Sequence, residues 1–208
     1  MKESKEHILK VAFNLFLQKS FKEVTMKEIV EKTGLSKGAF YYYFTSKEQL
    51  FFEVNSYYFS LMAENAFTNI KAVTLRQFYL EALDRMGRVL TAFLGVKTEI
   101  GDNKTFNYFT MMFDALSRFP ELREKMIAHD RKELDIWKER VARARMSGEI
   151  RSKMSDEQIA KVFLFTSDGV AVRLIMEHRF KDLWDELSGL WGNFYTQLAL
   201  KAPEPPMQ

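Results

Sequence analysis

Residues 25–50 read TMKEIVEKTGLSKGAFYYYFTSKEQL, and this stretch predicts two short helices joined by a tight turn. Thr25 followed three residues later by Glu28 forms a capping box, which places the first helix start at Met26. Gly34 can adopt a positive φ, so it provides a low-energy end for that helix. The order helix, glycine-containing turn, short helix is the helix-turn-helix pattern, whose second helix enters the DNA major groove.

The second helix of this pattern is predicted over residues 37–43, with Ser36 as its N-cap. Phe40 and Phe44 are four residues apart, so they form one apolar face. The small residues at 38 and 39 would let the helix backbone approach DNA closely. The positions left on or near the outer side of this helix are Lys37, Gly38, Tyr41 and Tyr42.

The stretch resembles the DNA-binding domain of the TetR family in the order and spacing of many residues. The matching positions are Thr25, Ile29, Gly34, Ser36, Gly38, Phe40, Tyr41, Phe44, Lys47 and Leu50. This chain departs from the family pattern at Ala39, where the family often has Thr, and at Tyr43, where it often has His. Tyr43 can still offer a hydroxyl to a phosphate, whereas the missing Thr hydroxyl changes a possible contact at Ala39.

The DNA contacts expected from this motif fall into two groups. Hydroxyl and ammonium groups are expected to hold phosphates, and the residues concerned are Thr25, Ser36, Lys37, Tyr41, Tyr43 and Lys47. Residues that approach base edges are expected to set sequence preference, and these are Gly38, Ala39 and Tyr42.

The charge distribution agrees with one nucleic-acid-facing end. Residues 1–52 contain nine Lys and six acidic residues, a net of +3 that equals the net charge of the whole chain. The same residues contain no Arg, so they cannot supply the bidentate Arg contact to guanine. Lysine, tyrosine hydroxyls and apolar contacts to thymine methyl groups are left to determine any sequence preference.

The composition predicts an all-α globular protein. The 208 residues include 47% hydrophobic residues, nine Gly and four Pro. There is no Cys, which excludes disulfides, a thiol nucleophile and cysteine metal sites. No signal-peptide core or membrane-spanning apolar run is recognisable, so we expect a cytoplasmic protein that does not contact a membrane.

The chain is predicted to form a three-helix DNA-binding domain at residues 1–46 and a larger helical domain at residues 47–208. Apolar periodicity, caps and breaks predict helices at about residues 4–19, 26–33, 37–43, 47–69, 74–94, 105–118, 120–146, 155–178 and 182–200. The resemblance implies that the second domain binds an effector and dimerises. The last two helices are strongly apolar, and a twofold dimer would place two recognition helices about 34 Å apart, so we expect homodimerisation through them.

A small-molecule pocket is implied by the resemblance, and aromatic and Met side chains offer a lining for an apolar or aromatic ligand. The candidate lining residues are Met86, Leu90, Phe93, Phe106, Phe109, Met112, Phe113, Trp137 and Phe163. Core packing is the competing interpretation for each of them. Ligand binding is expected to change the spacing of the recognition helices and weaken DNA binding.

Other classes of function find little support in the sequence. No phosphate-binding glycine loop, HExxH motif or nucleophile elbow occurs, so an enzyme is not expected, and neither is a cofactor. His129 and Glu133, four residues apart, could share a metal, although a surface pair is the simpler interpretation. Asp168 lies in an apolar segment and could pair with Arg173. An all-helical protein-binding adaptor without DNA binding is the alternative to a dimeric, ligand-responsive repressor.

Overall fold

The computed structural model describes residues 2–63, 70–94 and 102–200, and these ranges are largely helical. The helices are α1 (Lys2–Phe16), α2 (Met26–Thr33), α3 (Lys37–Tyr43), α4 (Lys47–Ala63), α5 (Leu75–Leu94), α6 (Asp102–Arg118), α7 (Pro120–Met146), α8 (Asp156–Met176) and α9 (Leu183–Leu198). Within the described ranges there is no β-strand, and a single bridge joins Ile150 to Ala199. Over the same ranges, no helix combines the length and apolarity that crossing a membrane requires. The predicted all-α class is confirmed.

Helix bounds agree best with prediction in the helix-turn-helix and less well elsewhere. α1 ends at Phe16 rather than near Lys19, because the Ser20 N–H and hydroxyl both donate to the Glu23 carboxylate, at 2.8 and 2.6 Å, and form a local turn instead. These hydrogen bonds also lower the pKa of Glu23. α6 begins at Asp102, ahead of the predicted start. The predicted end of α4 near residue 69 lies outside the described residues.

The helices pack as two compact units. Unit 1 contains Met1–Ala63 and Glu99–Ala128, and unit 2 contains Glu64–Thr98 and His129–Gln208. α4 and α6 therefore pack with the helix-turn-helix, whereas the predicted boundary at residue 46 assigned both to the second domain. That boundary describes the extent of the expected DNA-binding motif rather than the division of the apolar core.

The core of unit 1 joins the helix-turn-helix to α1 and α4. Ile8, Ile29, Phe40 and Val54 are completely buried, and each comes from a different helix of the unit. The Nε2 atom of His7 lies 3.0 Å from the Thr33 carbonyl, which adds a polar link between α1 and α2. Because these side chains lie on one face of each helix, the opposite faces remain available to solvent.

The core of unit 2 is a cluster of aromatic rings. The Trp137 ring stacks on Phe163 with centroids 4.8 Å apart, and Trp191 contacts both edge-on at 5.3 and 5.5 Å. Phe78 packs against Trp137 at 4.8 Å, and the Arg140 guanidinium lies 5.1 Å from the Phe78 ring centroid. Edge-to-face and offset-stacked rings fill space efficiently, so this cluster is packed core.

Glu149 connects the first turn of α5 to α9 in unit 2. Its carboxylate accepts hydrogen bonds from the Leu75 N–H at 2.8 Å, the Arg76 N–H at 3.0 Å and the Tyr195 hydroxyl at 3.0 Å. A negative charge at a helix N-terminus is favourable because it compensates unpaired N–H groups. Partial burial, followed by the bond to Glu149, raises the pKa of Tyr195 to about 12.

Candidate nucleic-acid interface

The start of α2 is fixed by half of the predicted capping box. Thr25 accepts a hydrogen bond from the Glu28 N–H at 3.2 Å, as expected for an N-cap. The Glu28 carboxylate pairs instead with the Lys19 ammonium, at 2.5 Å, so it does not return to the Thr25 backbone. The helix start is therefore as predicted, and the acidic side chain serves to attach α2 to the end of the preceding segment.

The turn between α2 and α3 has the geometry that the sequence predicts. Gly34 adopts φ 68° and ψ 6°, the left-handed conformation, and its N–H donates to the Glu31 carbonyl. Ser36 then caps α3 by accepting a hydrogen bond from the Ala39 N–H at 3.3 Å. These local contacts fix the direction in which α3 leaves the turn.

The two sides of α3 differ sharply in exposure. Phe40 and Phe44 are 0% exposed, whereas Tyr42 is 72% exposed and Tyr41 is 36% exposed. We use the name recognition face for the outward residues Lys37, Gly38, Ala39 and Tyr42, all of which are exposed. The structure thus leaves these four predicted residues exposed on α3.

Gly38 lies in the middle of the recognition face. A Cβ built at this position meets nothing within 4 Å in the described part of the chain. Packing within this chain therefore does not require a glycine here. A close approach by a surface from outside the chain would explain why residue 38 is a glycine.

Hydroxyl groups surround the recognition face. Thr25 and Ser36 are exposed, and each hydroxyl oxygen already accepts a backbone N–H, so the hydroxyl proton is free to point outward. Tyr43 is half-buried, and its ring packs edge-on against Tyr42 with centroids 5.1 Å apart. The Lys37 ammonium lies 6.0 Å from the Tyr41 ring centroid.

Lys47 occupies a different environment from the one predicted for a phosphate contact. Its ammonium donates to the Phe21 and Val24 carbonyls, both at 2.8 Å, and lies 3.5 Å from the Lys22 carbonyl. Two of the three N–H groups of the ammonium are therefore engaged in short hydrogen bonds. In this structure Lys47 joins the start of α4 to the loop between α1 and α2.

Lys22 and Lys27 are two exposed cations beside the motif, and neither was among the predicted DNA contacts. The Lys27 side chain is 86% exposed, and its separation from Glu31 is 3.9 Å, which is a weak surface pair. The sequence signal for Lys27 was its position in the first turn of α2, two residues after the N-cap Thr25. A lysine in the first turn of a motif helix can reach the same anion as the N-cap.

The predicted ligand-lining residues do not form one group. Trp137 and Phe163 are fully buried in the aromatic core of unit 2, while Phe113 in unit 1 is 58% exposed. Met86, Phe109 and Met112 are half-buried. The side chains of three predicted residues lie outside the described part of the chain, namely Leu90, Phe93 and Phe106.

Unit 1 contains a small cavity lined by α4, α6 and the start of α7. Its volume is about 20 Å³, enough for about one water molecule. The lining residues are Asn55, Tyr58, Phe59, Tyr108, Met111, Met112, Ala115, Leu116, Leu122 and Met126. Burial raises the pKa of Tyr108 to about 12, as expected for a phenol in an apolar site. Met112 belongs to the predicted set, and the other two methionines were not selected.

Three carboxyl groups of unit 2 influence one another. Burial, followed by the charges of Asp130 and Asp168, raises the pKa of Glu133 to about 8. Burial also raises the pKa of Asp168. Arg173 pairs with Glu177 rather than with Asp168. In the described part of the chain, no group of three or more His, Cys, Asp or Glu residues could hold a metal ion.

Comparison with known proteins agrees with this geometry. Residues 8–54 match the sequence model of the bacterial regulatory proteins of the tetR family. The uncharacterized HTH-type transcriptional regulator YerO of Bacillus subtilis (strain 168) is 44% identical over 71 residues, which cover 34% of this chain and 24% of that protein. The chain spans about a quarter of the length of the curated relatives that it matches.

Solved structures resemble nearly the whole fold. The regulatory protein TetR from Rhodobacter sphaeroides is 18% identical, with a TM-score of 0.61 covering 93% of this chain and 98% of that chain. NalD, the secondary repressor of the MexAB-OprM multidrug efflux pump in Pseudomonas aeruginosa, is 19% identical, with a TM-score of 0.56 covering 97% of this chain and 98% of that chain. These likenesses show a shared fold, in which the capped helix-turn-helix lies near the start of the chain. Residues 8–54 match the segment that defines the tetR family of bacterial regulatory proteins, and the fold resembles that of solved proteins of this type.

Proposed function

We propose that this chain is a sequence-specific, DNA-binding transcriptional regulator whose α3 enters the major groove of an operator. The observation that carries the proposal is the recognition face, on which Tyr42 is 72% exposed and Gly38 has no close neighbour in the described part of the chain. An exposed tyrosine beside an uncovered glycine offers a partner a hydroxyl group and close access to the helix backbone. The major groove admits a helix and offers base edges to such a face.

The proposed contacts divide between phosphates and bases. Hydroxyl and ammonium groups around the recognition face would position the protein on phosphates, and these belong to Thr25, Lys27, Ser36, Lys37, Tyr41 and Tyr43. Gly38, Ala39 and Tyr42 would meet base edges, and Tyr42 is the one with a side chain long enough to give a hydrogen bond there. Lys47 is assigned to positioning the motif, since its ammonium is bonded to carbonyl groups.

A twofold dimer through α8 and α9 is part of the proposal. Phe165, Gly169, Val172 and Met176 follow helical spacing along one face of α8, which we call the apolar stripe. The three side chains of the stripe are 62%, 45% and 71% exposed, and Leu190 on the neighbouring α9 is 45% exposed. Large apolar groups aligned in this way favour burial against a second copy of the same surface.

An apolar or aromatic effector is proposed to bind the chain and to weaken DNA binding. The cavity lined by Met111, Met112 and Met126 supports this proposal, because unbranched thioether side chains rearrange readily to admit a flat or apolar ligand. At about 20 Å³ the cavity must open for any such ligand. The ligand would release DNA if it bound better to a conformation whose recognition helices do not fit the operator.

Repression is the proposed outcome of operator binding, because a dimer bound at a promoter blocks access of the transcription machinery to that DNA. No catalytic step or cofactor is part of the proposal. A regulator of bacterial genes acts where the chromosome lies, so we propose a cytoplasmic location.

The test is selection of binding sites from random DNA, followed by fluorescence anisotropy at physiological salt. We expect a selected site with twofold symmetry, two chains per duplex, and at least about 1,000-fold tighter binding than to scrambled DNA. Matched measurements on Tyr42→Ala would show whether α3 reads the selected sequence. A protein that enriches no sequence would overturn the proposal and favour a protein-binding adaptor.

A further inference from the structure

The loop between α1 and α2 is attached to α6 by two specific contacts. The Asn107 side-chain amide donates a hydrogen bond to the Leu17 carbonyl at 2.8 Å, at the end of α1. The Arg118 guanidinium lies 4.5 Å from the centroid of the Phe21 ring. Both contacts lie within unit 1, and neither involves a residue of the recognition face.

The Phe21 ring is a shared contact for two cations. The Lys47 ammonium also lies 4.5 Å from its centroid, while that ammonium is bonded to the Phe21 carbonyl. A cation near an aromatic ring is attracted by the negative potential of the ring face. Phe51 on α4 packs against the same ring, with centroids 4.6 Å apart. Phe21 therefore connects α4 and α6 to the segment that leads into α2.

Arg118 is itself held in place. Its Nε atom donates to the Asp114 carboxylate at 2.8 Å, one helical turn earlier on α6. An arginine fixed by a neighbour on the same helix loses less rotamer freedom when it contacts a ring. The guanidinium is thus directed to the loop by α6 alone.

The surrounding packing between the loop and α6 is incomplete. A crevice of about 440 Å³ separates them, and Phe21, Asn107 and Arg118 all line it. A well-packed junction would be held by many apolar contacts, whereas here a few directional contacts bridge open space. Removing one of them should therefore change the position of the loop more than it changes the stability of the core.

We propose that Asn107 and Arg118 are positioning residues, which fix the helix-turn-helix on α6 through the Leu17 carbonyl and the Phe21 ring. In a dimer, the position of each helix-turn-helix on its own α6 would contribute to the distance between the two recognition helices, and hence to the half-site spacing that the protein accepts. The inference rests on the proposed DNA-binding function and names residues that touch no DNA.

The experiment uses the full-length protein and the operator obtained by selection, together with operators in which the half-sites are one base pair closer or farther apart. Anisotropy gives the affinity of wild type, Asn107→Ala and Arg118→Gln for each spacing. We expect the preference for the selected spacing over the altered spacings to fall about fivefold in both variants. Their affinity for a single half-site should stay at the wild-type value. Arg118→Lys keeps a cation near the ring and should restore part of the preference.

Arg123→Gln is the matched control, because Arg123 is an exposed arginine in the first turns of α7. It should retain the wild-type preference. Equal losses at every spacing would overturn the inference and assign both residues to general stability, which thermal denaturation would register in parallel. A reduced salt dependence for Arg118→Gln would also overturn it, since that indicates a direct phosphate contact. Failure of wild type to select any DNA would instead overturn the proposed function itself, before the variants are compared.

Discussion

The recognition face of α3 and the apolar stripe of α8 are both exposed, yet they differ in chemistry. The recognition face combines Lys37 and the Tyr42 hydroxyl with two small residues, and further hydroxyls lie around it. The apolar stripe presents Phe165, Val172 and Met176 without a hydrogen-bonding group. A polar, cationic face fits a phosphate-bearing groove, whereas an apolar face is stabilised by a surface like itself. Exposure shows where a partner can bind, and the chemistry of the surface indicates which kind of partner it suits.

Charging the apolar stripe should have the largest effect. In Val172→Asp a carboxylate would have to be buried in the proposed dimer interface, which is strongly unfavourable. We expect monomers by analytical ultracentrifugation and roughly 100-fold weaker operator binding, because two linked half-site contacts become one. Val73→Asp is the matched control, since Val73 is 89% exposed and lies outside the stripe. An unchanged dimer in Val172→Asp would contradict the assignment.

Truncating the recognition face should have the next largest effect. Tyr42→Ala removes a side chain proposed to meet a base, so we expect about tenfold weaker binding to the selected operator and little change on scrambled DNA. Anisotropy on both duplexes measures this difference. Tyr42→Phe separates the hydroxyl from the ring, because only the hydrogen bond is lost. Equal losses on both duplexes would assign Tyr42 to the phosphate backbone.

Lys37 on the recognition face and Lys47 at the start of α4 should respond differently to substitution. Lys37→Ala should reduce the slope of log affinity against log salt by about 0.9, the effect of one lost phosphate contact. Lys47→Met should leave the slope unchanged and lower the melting temperature, because the Phe21 and Val24 carbonyls lose their donor. Salt titrations and thermal denaturation of both variants check this pair. A smaller slope of log affinity against log salt for Lys47→Met would instead indicate that Lys47 contacts a phosphate.

The smallest effect concerns the pH dependence of the stability of unit 2, which contains Glu133 and the apolar stripe. The pKa of Glu133 is about 8 in the folded chain against an ordinary value of 4.5, so between these values the unfolded chain is ionised while the folded chain is largely protonated. The contribution of this group to stability is therefore present at low pH and is lost as pH rises through this window. Glu133→Gln should show a smaller fall in melting temperature between about pH 5.5 and 8. Identical falls in melting temperature for wild type and Glu133→Gln would contradict the raised pKa of Glu133.

The helix-turn-helix could be predicted almost residue by residue, because its signals are local. A cap at Ser36, a left-handed Gly34 and a pair of phenylalanines four apart each act within one or two turns of the chain. The bounds of α3 follow directly from them. The outward residues follow as well, since a short helix with one buried face leaves its other face exposed.

Contacts between distant segments were beyond sequence reasoning. Lys47 looked like a free cation at a helix start, and nothing nearby in sequence indicates that the Phe21 and Val24 carbonyls converge on it. Trp137 and Phe163 have the residue types of a ligand pocket, but these types equally suit a packed core, and here they stack on each other. Periodicity locates a buried face without stating what covers it.

The carboxylate of Glu149 determines when unit 2 can be completed during synthesis. Its partners are the first turn of α5 and Tyr195 on α9, so this attachment forms only after α9 has left the ribosome. The caps and turn of α2 and α3 depend on residues made much earlier, and chains generally fold from the N-terminus as they emerge. The segment that forms α2 and α3 is therefore made before the proposed dimer surface of α8 and α9 can be completed.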